Sequence, residues 1–150
     1  MTHRSQALSV AAAVVIADQL SKAWALNALA DGPIDVIDGF LRFVLHFNPG
    51  AAFSLFQNSG VALALIGFVI VGALIVMIGT VERRYEAVAM GIVLGGALGN
   101  LIDRVARSDG AFDGKVVDFI DLWRIPTFNV ADAAINVGIG LILLYALKND

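Results

Sequence analysis

Residues 61–81 read VALALIGFVIVGALIVMIGTV, an apolar run with no charged side chain. As helix, a run of this length meets the roughly 20 residues that the hydrocarbon core of a bilayer requires. The chain has 150 residues, of which 59% are hydrophobic and 15% charged. A soluble domain of that size could not bury so much apolar surface, because small domains keep a high surface-to-volume ratio. The mean hydropathy of +0.82 leads to the same conclusion: a bilayer is the natural solvent for the excess.

On either side of this run, three further segments approach the same length, at about 7–30, 87–103 and 128–147. The first follows His3 and Arg4, as the core of a secretory signal would. It is too long for such a core and contains Asp18 and Lys22, so an uncleaved helix is expected. The sequence is therefore read as one integral membrane domain. Its fold class is an all-α membrane protein with four transmembrane helices. Four spans put both termini on one side and the long links, about 31–60 and 103–127, on the other. Arg4, Arg83, Arg84 and Lys148 fall on the terminal side, and Arg42, Arg104, Arg107, Lys115 and Arg124 on the opposite side. Lys and Arg collect in the cytoplasm, and the short Arg83-Arg84 link decides the orientation: termini cytoplasmic.

The first long link contains β-rich runs at 34–37 and 40–47 that meet at Asp38-Gly39, a strong hairpin signal. Arg42, Val44 and His46 alternate with Leu41, Phe43, Leu45 and Phe47, the pattern of a two-stranded ribbon with one greasy face. Such a ribbon serves equally as a plain surface hairpin or as a cover for a site.

Ionisable groups inside membrane spans are costly, and they usually face the protein interior and have a function. Asp18 and Lys22 share a face of the first helix, acid before base, the favourable order for an ion pair. The pair either neutralises itself for insertion or supports a polar site. In the third span Gly91, Gly95 and Gly99 form a smooth ridge suited to close helix packing, within one chain or between two. Gly96, Asn100 and Arg104 lie on the adjacent strip, and unpaired polar groups there would be penalised. The fourth span opens with Asn129, Asp132 and Asn136 on one face. Just upstream, Val116-Val117-Asp118-Phe119-Ile120-Asp121 brings two more acids to the same boundary. Spacing does not distinguish Asp118 from Asp121 as the partner of Asp132.

The absence of Cys excludes disulfides, thiolate catalysis and thiolate metal sites. The only histidines, His3 and His46, form no cluster for zinc, and no Gly-x-Ser-x-Gly elbow occurs. The net charge of −3 argues against a nucleic-acid partner. Two chemistries survive. A carboxylate pair can share one proton and activate water. Alternatively, Asp118, Asp121 and Asp132 can hold a hard metal. A non-enzymatic ion path lined by the acids is the third reading.

Several blocks, in order and covering most of the chain, together resemble one family, the lipoprotein signal peptidases (signal peptidase II). They are Asp18-Gln19-Leu20-Ser21-Lys22, Asn48-Pro49-Gly50-Ala51-Ala52-Phe53, and the stretch from Gly95 through Asn100 to Asp103-Arg104. Val116-Val117-Asp118-Phe119-Ile120-Asp121 and Phe128-Asn129-Val130-Ala131-Asp132-Ala133-Ala134-Ile135 complete the set. The resemblance implies four transmembrane helices with a small periplasmic β-cradle in the bacterial inner membrane. It implies an aspartic endopeptidase with Asp118 and Asp132 as catalytic residues and no metal or other cofactor. By the same carry-over, Asn48, Gly96, Asn100, Arg104 and Asn129 shape the site and hold substrate, with Asp18 and Lys22 supporting them. The implied partners are membrane lipids and a prolipoprotein whose Cys bears diacylglycerol, cut just before that Cys; the enzyme is expected to be a monomer. Two departures concern loops only. The segment from Arg104 to Asp118 is long, with turn signals at Ser108-Asp109-Gly110 and Asp113-Gly114, and the link from Asp121 to Phe128 is short.

Overall fold

The computed structural model describes residues 2–50, 60–108, 110 and 112–149. Ala51, Ala52, Phe53 and Asp109, which belong to motifs read above, lie outside the described residues. Helices α1 (His3–Ala28), α2 (Gly60–Ile78), α3 (Arg84–Ala106) and α4 (Val130–Asn149) are each long and apolar enough to cross a membrane. α3 extends beyond its apolar core at both ends, from Arg84 to Ala106. α4 begins only at Val130, because the preceding residues are taken up by a strand.

α3 is the centre of the bundle. Half of its most apolar window is buried, against 22%, 17% and 11% for α1, α2 and α4. Glycine makes this closeness possible. A Cβ on Gly91 would lie 2.5 Å from the carbonyl oxygen of Ala7, and one on Gly95 would lie 2.6 Å from the Val14 side chain. On the other flank, a Cβ on Gly96 would lie 2.5 Å from the Ala131 carbonyl in α4. The ridge is thus used within the chain, against α1 and α4. Ala7, Ala11, Ala64, Val71, Leu94 and Leu101 fill the seam between α1, α2 and α3. The outward faces remain apolar: Val69, Val76, Leu144 and Leu147 are largely exposed. A contiguous apolar surface of this kind is stable against lipid and a liability in water.

The extramembrane part is larger than the two-stranded ribbon expected from the hairpin signal. Strands β1 (Ile34–Ile37), β2 (Leu41–Asn48), β3 (Val116–Leu122) and β4 (Ile125–Phe128) form one antiparallel sheet in the order β1-β2-β3-β4. The β1–β2 turn is closed by the Phe40 N–H donating to the Ile37 carbonyl at 3.0 Å, with Gly39 at φ 67° where a side chain would be strained. The short link after Asp121 folds back through Trp123 and Arg124 into β4, and the Trp123 N–H donates to the Phe40 carbonyl at 2.8 Å. The β2–β3 register shifts between Phe43 and His46, which breaks the regular alternation of β2. Phe43, Leu45, Phe119 and Ile120 pack with Ala25 and Leu29, joining the sheet to the end of α1. Trp24 meets Phe43 edge-on, with ring centroids 5.2 Å apart.

In the long α3–β3 link, the Gly110 and Asp113 N–H groups donate to the Ser108 hydroxyl oxygen at 3.1 and 3.2 Å, and that hydroxyl bonds the Asp113 carboxylate. Gly114 follows. A Cβ there would lie 2.6 Å from the Asp103 carbonyl, so only glycine lets the chain turn back so tightly against the end of α3.

Candidate active site

Asn129 stands between β4 and α4 and caps the helix. Its side-chain oxygen accepts the Asp132 N–H at 2.8 Å, while the Asp132 carboxylate accepts the Asn129 N–H at 3.3 Å. This reciprocal arrangement is a capping box, and it satisfies N–H groups that a helix start otherwise leaves open. A second N–H of the first turn, that of Ala131, donates to Asp18 of α1 at 2.9 Å. The same Asn129 reaches across to β3, where its Nδ2 donates to Asp118 Oδ1 at 2.7 Å. One side chain therefore touches both acids.

Each carboxylate has a further donor. Asn100 Nδ2 donates to Asp132 Oδ1 at 2.7 Å, and Asn48 Nδ2 donates to Asp118 Oδ2 at 3.0 Å. Asn48 is itself oriented, its oxygen accepting the Gly50 N–H at 3.0 Å. Arg104, buried, donates to the Gly50 carbonyl at 2.9 Å and lies 3.5 Å from the Gly114 carbonyl. It thereby holds the backbone just after β2, next to Asn48. Gly96 lies one turn before Asn100 and lets α4 approach α3, so that Asn100 and Asp132 meet.

Lys22 is fully buried and its ammonium is fully used. It lies 2.8 Å from both Asp18 and Asp103 and donates to Asn100 Oδ1 at 3.1 Å. Three donors meet three acceptors, the full capacity of the group. With its oxygen facing Lys22, the Asn100 amide can present only N–H to Asp132. The bond from Lys22 through Asn100 to Asp132 favours the polar-site reading of the Asp18–Lys22 pair over simple self-neutralisation.

Asp118 and Asp121 are three positions apart on a strand and so face opposite ways. Asp118 is turned inward and buried, whereas Asp121 pairs with Arg42 across the sheet. The three acids of the metal reading are not assembled, and among the described residues no cluster of acids or histidines is arranged to hold an ion. Burial, and next the charge of Asp132, push the Asp118 carboxyl up to about 7, against the opposing pull of its Asn48 and Asn129 bonds. A proton can thus be retained in the pair near neutrality, as water activation by two acids requires.

The family model described as signal peptidase (SPase) II matches residues 10–148. The chain belongs to the signal peptidase II family. Its similarity to the lipoprotein signal peptidase of Bifidobacterium longum (strain DJO10A) is 45% identity over 139 residues, covering 90% of this chain and 75% of that one. The lipoprotein signal peptidase of Shouchella clausii (strain KSM-K16) is 39% identical over 142 residues, covering 92% and 90%. A bacterial membrane enzyme solved by the in meso method at 2.3 Å resolution superposes with a TM-score of 0.85 at 32% identity, covering 97% of this chain and 89% of that one. The protein is accordingly a membrane peptidase with four apolar helices and a small antiparallel sheet.

In this signal peptidase II member, Asn48, Asn100, Asp118, Asn129 and Asp132 come together in one bonded group. Asp18, Lys22 and Arg104 stand behind it, and Gly96 sets a helix spacing. Asn136 is exposed, and among the described residues its side chain donates to the Asp132 carbonyl in its own helix. Sequence reasoning missed Gln19 and Asp103 as members of the network. Gln19 Nε2 lies 3.1 Å from Asp18 and 3.2 Å from Asp103. The signal was available: Asp103 is an acid next to an apolar span, one helical turn from Asn100.

Proposed function

We propose that this chain removes the signal peptide from diacylglyceryl-modified bacterial prolipoproteins, cutting before the lipidated Cys by water activation between Asp118 and Asp132. The observation that carries this reading is Asn129, whose single side chain bonds Asp118 while its backbone and amide oxygen cap the helix turn of Asp132. One acid, ionised, takes a proton from water; the other, protonated, donates to the scissile carbonyl oxygen. Asn48, Asn100 and Arg104 shape the site, the two amides by holding the acids and Arg104 by holding the backbone beside Asn48. The acyl chains and signal helix of the substrate lie in lipid beside the bundle. This makes the attack effectively intramolecular and offsets several kcal/mol of the barrier.

The reading places the protein in the cytoplasmic membrane as a monomer, with the sheet and site at the periplasmic face. Arg83 and Arg84 in the short α2–α3 link support that orientation. On the opposite side Arg42 and Arg107 are tied to Asp121 and Asp103.

The test is incubation of the purified protein with a precursor peptide bearing a diacylglyceryl Cys, with products identified by mass. The reading requires a product that begins at the modified Cys, formed equally after exhaustive chelation. Cleavage elsewhere, or activity that returns only with a divalent ion, contradicts it. Ion flux through liposomes without proteolysis would instead favour a transport role.

A further inference from the structure

Four donors converge on the carboxylate of Asp103, which is fully buried at the end of α3. Lys22 Nζ and the Val117 N–H approach Oδ2 at 2.8 and 3.1 Å; Arg107 Nε and Gln19 Nε2 approach Oδ1 at 3.1 and 3.2 Å. Three of these donors are side chains. The fourth is the backbone N–H of the residue immediately before Asp118. One turn back on the same face of α3, Asn100 holds Asp132. A single helical turn therefore grips both acids, one through a side-chain amide and the other through the backbone of β3. The Val117 carbonyl is also engaged, lying 3.3 Å from Asn129 Nδ2, so the peptide units flanking Val117 are held from both sides.

We propose that Asp103 is a positioning residue of the peptidase: it sets the gap between Asp118 and Asp132 by pinning Val117 to the α3 turn whose Asn100 pins Asp132. The proposal rests on the catalytic reading of those two acids. A carboxylate suits the task because it offers two acceptor oxygens to four donors, and its buried charge is compensated by Lys22 and Arg107. The competing role is purely structural, in which Asp103 only neutralises Lys22 so that α1 and α3 can pack.

The two roles separate by which atom matters. Asp103→Asn loses the charge but keeps an oxygen for the Val117 N–H. Asp103→Ala loses both. Asp103→Glu keeps the charge but displaces the oxygen by a methylene. Steady-state cleavage of a diacylglyceryl precursor peptide by each purified full-length variant is normalised to the folded fraction from thermal unfolding in micelles. Misplacement of a reacting group by about 1 Å can cost roughly 10²-fold, so Asp103→Ala is expected to lose kcat on that order with KM unchanged. Asp103→Asn recovers most of that loss, and Asp103→Glu falls with Asp103→Ala. If Asp103→Ala does not fold, the other two decide: Asp103→Asn above Asp103→Glu supports positioning, and the reverse order or equality overturns it. Parental kcat in folded Asp103→Ala, or an effect on KM alone, also overturns it. Asp118→Asn is assayed alongside. If Asp118→Asn is active, the catalytic reading itself fails; if it is inactive while Asp103→Ala is parental, only the positioning role fails.

Discussion

Burial and the neighbouring charge of Asp132 push the Asp118 carboxyl up to about 7, so the pH dependence of turnover is expected to reflect this residue. In the proposed mechanism the pair works with one shared proton. As pH rises through about 7 that proton leaves, so kcat/KM falls on the alkaline side with an apparent pKa in that region. Asn48 donates to the ionised form of Asp118 and holds its pKa down. Asn48→Ala is therefore expected to move the alkaline limb to higher pH, and a pH–rate profile of the two proteins checks the direction. Asp121→Asn should keep its activity, since Asp121 pairs with Arg42 on the other face of the strand. The two acids are inseparable as long as 116–121 is treated only as an apolar stretch carrying two acids. Read as a strand, an offset of three residues puts them on opposite faces at once. That assignment was obscured because Val116, Val117, Asp118 and Phe119 are all buried, leaving no alternation to detect.

The helices were legible from apolar length, and so was the use of glycine between them, because both depend on composition along one segment. The sheet was only half legible. β1 and β2 announced themselves through Asp38-Gly39, but β4 is four residues long and contains Pro126, a residue that signals against a strand interior. Its partner in the ladder is far along the chain from the hairpin, and the β2–β3 pairing depends on the bundle bringing both links to one side. Helix spacing yields its own prediction. In Gly96→Ala the new Cβ meets the Ala131 carbonyl at 2.5 Å and Ile135 Cγ1 at 2.7 Å, so α4 must retreat. Overpacking of this kind costs about 1–3 kcal/mol, and the Asn100–Asp132 bond lengthens with it, so both thermal stability and kcat should fall. Gly140 has nothing within 4 Å of its Cβ position, and Gly140→Ala should match the parent in both. Unfolding in micelles and turnover on the same preparations compare them.

The molecule as a whole joins an apolar bundle to a polar site at one end. Asp18, Lys22 and Asp103 have no measurable exposure, which is tolerable in a membrane protein only because each is paired with another. Asp18 then reaches the first turn of α4, so α1, α3 and α4 are linked through one charged cluster directly behind the two acids. The sequence offers Asp18 and Lys22 as a pair that could support a polar site, but nothing in it joins them to Asp103 or to the first turn of α4. At this scale the prediction concerns the substrate. In the proposed mechanism membrane partitioning supplies the positioning, so a precursor without diacylglycerol should be cut with a much lower kcat/KM than its lipidated form. Equal rates for the two in proteoliposomes would remove lipid positioning from the account.

The central claim is that Asp118 and Asp132 act as one unit. Turnover of a lipidated precursor by purified, folded Asp118→Asn, Asp132→Asn and the double variant tests it most directly. Activity should be abolished to the same residual level in all three. Substantial cleavage by either single variant, or a double variant markedly slower than both, would contradict it.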